Sequence, residues 1–220
     1  MAIPAPQIIR SRRSSLTIHV GPDGKVLVKA PILVPNFVIK NFLKEKESWI
    51  EKTLEKIQQR KPTKKQYEEG EEFLFLGKTY KLKLHDAIST QLKGDFLLFP
   101  RAAFFRVQKE LTSWYKEQAK QIITKRLNFH AKEMHAQYAE VFFSDTKSKW
   151  GTCFPDNSLQ FNWRLVMAPL LVLDYVVIHE LTHTTVKNHR DAFWRRVRLF
   201  TPAYKQHRKW LEEHAHLLMV

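Results

Sequence analysis

The stretch from Leu170 to His189 constrains this chain most. Leu170 to Ile178 is almost wholly apolar, as expected of a helix buried on most sides, and it runs directly into His179, Glu180 and His183, an H-E-x-x-H pattern. Four residues of helix advance about 400° and roughly 6 Å, so the two histidines stack on one face with their ring nitrogens able to converge on one ion. Glu180 lies about 100° further round, close enough to hydrogen-bond a metal-bound water. Burying two histidines and a glutamate without partners would cost several kcal/mol, on the order expected for unpaired polar groups. A zinc ion held by both imidazoles removes that cost, and Glu180 then reads as the general base.

Local residues mark both ends of this helix. Pro169 suits a first turn, Thr184 to Val186 are β-branched and weaken the helix, Lys187 suits a C-terminus, and Asn188 tolerates the left-handed conformation that would end it. That turn would return His189 to the ion as third ligand. The spacing H-E-x-x-H-x5-H is that of metzincins, but Val186 stands where those proteins carry glycine, which argues against their turn.

Upstream, Leu16–Val20 and Val26–Lys29 flank Gly21-Pro-Asp-Gly24 and predict a hairpin. Apolar residues at near-helical spacing predict one amphipathic helix over Phe37–Ile57, and Lys61–Gly70 reads as a linker. Glu72–Leu76 and Thr79–Leu84, split by Gly77-Lys78, predict a second hairpin, followed by a short strand at Phe96–Phe99. Phe104 to about Met134 contains neither Pro nor Gly and carries a long apolar stripe, predicting a long helix that backs the metal helix. Val141–Ser144, Lys149–Phe154 and Leu159–Trp163 predict strands, with Pro155-Asp-Asn157 as a turn. Asp191 is placed to cap a helix over Phe193–Phe200, and Tyr204–Leu218 forms a terminal helix after Pro202. The fold class is therefore α+β: a β-rich part with one helix over residues 1–100, then a metallohydrolase domain over 101–220 with a small antiparallel sheet.

Composition narrows the function. The longest apolar run is half a membrane span and no charged-then-apolar leader opens the sequence, so the expectation is a cytoplasmic protein without a membrane partner. A single cysteine, Cys153, excludes an intramolecular disulfide and fits a reducing compartment; it reads as a buried strand thiol rather than a ligand. The net charge of +15 favours anionic partners, but the cations are scattered and no aromatic-interleaved signature accompanies them. Nucleic-acid binding is thus expected to be weak.

An ordered set of residues carries a resemblance: Ser148 to Cys153, Asn162 to Leu165, Pro169, Tyr175 to His183, Asn188-His189 and Phe193-Trp194, with Arg12-Arg13, Ala30-Pro31, Trp49-Ile50 and Phe75 to Gly77 upstream. Together they resemble the YgjP-like metallopeptidase family over nearly the whole chain. The resemblance implies a compact zincin-like, gluzincin-like domain related to SprT-like proteins, with His179, His183 and His189 as ligands and Glu180 as catalyst. It also implies that Trp150-Gly151 lies on a strand bordering the cleft, where glycine would let a substrate approach the backbone; alone, Trp150 reads as core. Tyr204, His207 and Arg195 are the candidates for stabilising an oxyanion, with His207, His214 and His216 otherwise expected to face solvent. The favoured function is a zinc hydrolase cutting peptide or unfolded protein. The alternatives are a phosphoanhydride hydrolase acting on nucleotides and a non-catalytic nucleic-acid module with structural zinc.

Overall fold

The computed structural model describes residues 4–21, 24–59, 65–86, 88–146 and 148–218. It divides into two compact units, residues 1–63 and 64–220, and the second hairpin lies in the unit that carries the metal helix.

In the first unit, β1 (Gln7–Ser11), β2 (Thr17–Val20) and β3 (Val26–Pro31) form a sheet in the order β1-β3-β2. The expected hairpin is β2–β3, antiparallel, although Pro22 and Asp23 of its turn lie outside the described residues. Val26, Val28 and Ala30 alternate along β3 and are all buried, the period-2 pattern of a half-buried strand. The helix expected over Phe37–Ile57 is two, α1 (Asn36–Glu45) and α2 (Glu47–Gln59), with a hitch at Lys46. The hitch lets each helix address a different part of β3: Ile39 packs with Val28 and Ala30, while Ile50 and Leu54 pack with Val26. Strand β1 is exposed at every position and so carries no alternation. Arg10, at its end, donates to the carbonyls of Pro31, Ile32 and Val34 and to Asn36 Oδ1.

The second unit opens with β4 (Glu72–Phe75), β5 (Lys78–His85), β6 (Gln91–Lys93) and β7 (Phe96–Pro100), in the order β4-β5-β7-β6. The β4–β5 turn is Leu76-Gly77, both at positive φ (48° and 79°), as a type I′ hairpin requires. Gly77 is needed twice over, because a Cβ there would lie 2.8 Å from Pro169 Cα. The amides of Leu76 and Gly77 donate to Val166 and Met167, so the hairpin tip abuts the entrance of the helix that carries His179.

After a 3-10 segment at Arg101–Arg106, α3 (Val107–Glu133) runs 27 residues and buries one stripe through Leu111, Tyr115, Ala119, Ile123 and Leu127. Strands β8 (Val141–Ser144), β9 (Gly151–Cys153) and β10 (Leu159–Asn162) follow in the order β8-β10-β9. This sheet is mixed where an antiparallel one was expected: β8 runs parallel to β10, because the chain between them re-enters through β9, which pairs antiparallel as the outer strand. Then come α4 (Leu170–His183), α5 (Asp191–Phe200) and α6 (Tyr204–His214). Asp191 is the first residue of α5, not its cap; Arg190 holds the cap position, and the carboxylate serves the N-terminal dipole.

Helix α4 packs on α3, and its one buried acid inside the apolar run joins the two. Asp174 accepts from Arg126 Nε at 2.6 Å and Nη2 at 2.7 Å, and lies 3.2 Å from His130 Nε2. Burial alone would raise the Asp174 pKa, but the hydrogen bonds from His130 and Arg126 outweigh it and hold the carboxyl below its ordinary value. Asp174→Ala should cost about 3 kcal/mol, near the lower bound for breaking a buried pair, because Arg126 keeps 26% of its side chain in water. That corresponds to a melting temperature lower by roughly 10 °C. With the folded pKa depressed, the contribution is complete above the unfolded value and fades as pH falls through the folded one. The wild-type advantage in melting temperature should therefore shrink below about pH 4; an advantage independent of pH would show that the ion pair does not carry it.

Candidate metal centre

His179 and His183 project from one face of α4, and the chain returns His189 to them. His179 Nε2 and His189 Nε2 are 3.1 Å apart, as are His183 Nε2 and His189 Nε2, and one ligand atom from each residue falls within 4.8 Å of the others. Three nitrogens of this kind facing one point are the donor set of a zinc-like cation with an open fourth position.

The return is not made by a left-handed Asn188. Positive φ among non-glycine residues is confined to Tyr67, Leu76, His135 and Asn157 in the described chain. The helix instead tightens: the amides of Thr184 and Thr185 donate to the carbonyls three residues back, and the hydroxyls of Thr182, Thr184 and Thr185 donate to Ile178, Leu181 and Thr182. The Asn188 side chain then accepts from the amide of Arg190, an Asx turn into α5. Lys187 reaches across to Asn157 Oδ1 at 2.5 Å and anchors the loop to the β9–β10 turn rather than to the end of α4.

His183 Nδ1 lies 3.0 Å from the Val186 carbonyl, which fixes the proton on Nδ1 and leaves Nε2 bare. His179 Nδ1 is buried without a hydrogen-bond partner among the described residues, so packing must orient its ring. Phe193 of α5, fully buried, supplies that packing: its ring centroid lies 4.8, 4.5 and 4.6 Å from those of His179, His183 and His189. Trp194 covers His179 and His189 at 6.0 and 5.7 Å and is itself stacked on Tyr204. Burial, then the neighbouring His183 and His189, push the His179 pKa down to about 3, and burial lowers His183, so both are poised as neutral donors.

Glu180 is 6% exposed, and burial pushes its pKa up to about 7 against the opposing pull of Lys149 and a hydrogen bond from the Cys153 backbone. Its side chain occupies the space that the missing Cβ of Gly151 leaves: a Cβ there would come 2.6 Å from both Cγ and Oε1 of Glu180. The glycine expected to admit a substrate thus admits the glutamate. The preceding loop is pinned by Asn162, whose Nδ2 donates to the Thr146 and Lys149 carbonyls, and by Arg164, which pairs with Asp145.

These groups open into a cleft of about 710 Å³ lined also by Lys149, Trp150, Tyr175, Trp194, Arg208 and Leu211. Trp150 is half-buried and both lines this cleft and packs against the core. Tyr204, His207 and Arg195 do not line it; Tyr204 backs Trp194, and His207 is half-buried beside the Tyr175 ring at 6.4 Å, with its pKa lowered by burial. His214 stacks on Trp210 and, like His216, is half-buried instead of facing solvent. Cys153 is partly exposed, stands apart from the three histidines and takes a 3.7 Å contact from Lys187 Nζ. Tyr175, buried to 6% exposure and one helical turn before His179, was missed by sequence reasoning; the i, i+4 spacing to His179 was the available signal.

His189→Ala should weaken metal retention by more than the roughly 10–100-fold that loss of an outer-shell partner causes. Gly151→Ala and Cys153→Ala should leave it nearly intact, since neither touches a ring nitrogen. Metal content after dialysis against a mild chelator, beside a thermal melt, reads all three; retention by His189→Ala would move the third ligand elsewhere, and loss in a folded Cys153→Ala would make the thiol a ligand.

No curated protein and no solved structure gives a significant match to the chain. A family model does: the one for the YgjP-like metallopeptidase domain matches residues 14–214, from β2 through α6 with the three histidines and Glu180 inside it. The chain therefore belongs to the YgjP-like metallopeptidase family.

Proposed function

We propose that the protein is a zinc-dependent peptidase in which Glu180 is the general base. The observation that carries the reading is the pairing of three converging imidazole nitrogens with an adjoining carboxylate held over the cleft by Gly151. Zinc suits the donor set, because three neutral imidazoles with one open position are its usual catalytic environment; when bound it supplies the Lewis acidity that makes water a nucleophile near neutral pH and polarises a carbonyl.

The chain's own groups do the rest. Glu180 takes a proton from the attacking water at its carboxylate and returns it to the leaving amine nitrogen, a role for which a carboxyl buried to a pKa near neutrality is suited. Strand β9, an edge strand of its sheet, ends beside this carboxylate and offers backbone groups to an extended peptide. Trp150 and Trp194 line the cleft and help exclude water from it.

A nucleotide substrate is less well served. The cations near the centre, Lys149 and Arg208, are single side chains from separate elements, and no glycine-rich phosphate cradle occurs in the sequence. The deciding experiment incubates zinc-loaded protein with an unfolded protein and, separately, with nucleoside triphosphates, comparing wild type with Glu180→Gln. Peptide cleavage should fall by about 10² to 10⁴ in the variant, the usual contribution of a general base. Gly151→Ala should lower it too, by displacing the same carboxylate. Phosphate release that depends on Glu180, with no peptide cleavage, would replace the reading.

A further inference from the structure

The cleft is longer than the metal centre needs. Its lining extends past His179 along α4 to Tyr175 and Val176 and onto Arg208, Leu211, Glu212 and Ala215, and these residues form the α4–α6 end of the pocket. Arg208 and Glu212 are paired there, Nε to Oε1 at 2.9 Å.

Tyr175 is the unexplained group. Its residue is more than nine-tenths buried, yet its hydroxyl has no hydrogen-bond partner among the described residues. The oxygen is not sealed in the interior either, since the residue lines the cleft and the hydroxyl is absent from the fully buried unsatisfied atoms. It lies within electrostatic reach of Arg208, Glu180 and Glu212. An O–H that faces the cleft from a residue otherwise buried, with no protein partner, is free to hydrogen-bond whatever occupies the cleft. What it can bind is set by what is offered: one O–H from Tyr175 and the terminal N–H groups of Arg208, which the Nε bridge to Glu212 leaves available. The hydroxyl can donate or accept, Arg208 only donates, and the Glu212 carboxylate beside them is already engaged by Arg208. An occupant that ends in an acceptor and carries an apolar stem across Val176 and Leu211 uses both donors.

Resting on the peptidase reading, we infer that this pocket selects the substrate side chain next to the scissile bond, and that Tyr175 and Arg208 make it prefer glutamate, a short apolar stem with a carboxylate end, over lysine or alanine. About 6 Å, one helical turn, separates Tyr175 from His179, which is the spacing between a peptide carbonyl at the metal and the end of an adjoining side chain.

The test uses zinc-loaded full-length protein and a series of internally quenched, alanine-rich peptides in which one position at a time carries glutamate, glutamine, lysine or alanine. Products are mapped by mass spectrometry. Glutamate at one position adjoining the cut should raise kcat/KM about tenfold over alanine, the worth of one charge-assisted hydrogen bond, and lysine should fall below alanine. In Tyr175→Phe and in Arg208→Gln the glutamate-to-alanine ratio should drop toward one, chiefly through KM. Arg208 is exposed, so that variant tests the pocket without risk to folding, and Arg208→Glu should invert the preference toward lysine.

A second readout needs no turnover. Binding of the same peptides to Glu180→Gln, followed by the fluorescence of Trp150 and Trp194 in the cleft, should show the same order of Kd. Selective binding without any cleavage by wild type would keep the pocket and overturn the peptidase reading. Cleavage with kcat/KM and Kd indifferent to the side chain would overturn the pocket and keep the peptidase. Neither cleavage nor binding would overturn both.

Discussion

Three imidazole nitrogens held within 4.8 Å of one another, with His189 Nε2 3.1 Å from each of the other two, are an unfavourable arrangement unless something positive lies between them. One proton can be shared between two rings, but not among three, and burial disfavours adding more protons; the direction of the His179 and His183 pKa values records that. The fold keeps the rings there anyway. Phe193 blocks their retreat from below, the Val186 carbonyl fixes the His183 tautomer, and the Asx turn at Asn188 commits the chain to returning His189. A cation bound there need not organise its donors. Its binding energy would not be consumed in folding a loop, unlike that of a small structural zinc domain.

Holding such a site requires a rigid α4, and rigidity here comes from burying almost the whole helix. A helix with polar groups at its C-terminal end and apolar residues elsewhere could slide or rotate on its neighbours, because apolar packing is only weakly directional. The Asp174–Arg126 pair supplies direction: a bidentate contact tolerates little rotation, and it fixes α4 to α3 one and a half turns from His179. The hairpin tip at Leu76-Gly77 fixes the same helix at its entrance, with glycine demanded by both the turn and the proximity of Pro169. Position and orientation are thus set at separate points.

What could be read in the sequence follows from how local each signal is. The two-histidine face of α4, the stripe along α3 and the alternation in β3 are periodic within one element, so they were legible residue by residue. The α+β class followed from them. Strand β1 is exposed throughout and β6 has three residues, so neither carries a pattern to find. The single helix over Phe37–Ile57 failed because its hitch at Lys46 answers to the positions of Val26 and Val28 on another strand, which no helical window contains. His189 was reachable by spacing, whereas its turn was assigned to the wrong mechanism: asparagine serves both a left-handed residue and an Asx acceptor, and only the neighbouring backbone decides between them. Phe193 entered as the start of a predicted helix and, with Trp194, as part of the family resemblance, but its contact with the three histidines was not read, since a ring that touches them from a different helix leaves no mark in its own neighbourhood.

Gly151 shows the same limit from the other side. A glycine beside a tryptophan on a cleft-edge strand invites the reading that a ligand comes close to the backbone. Here the visitor is the protein's own Glu180, separated from it by 29 positions in sequence and by less than a side chain in space. The consequence is a division of labour along one strand. At Gly151 the side-chain space is surrendered to the Glu180 carboxylate; at Cys153 the backbone hydrogen-bonds that carboxylate; and Lys149, just upstream, opposes the effect of burial on its charge. Strand β9 thus tunes the acid that α4 carries, so edge strand and helix form one unit whose parts cannot be exchanged singly.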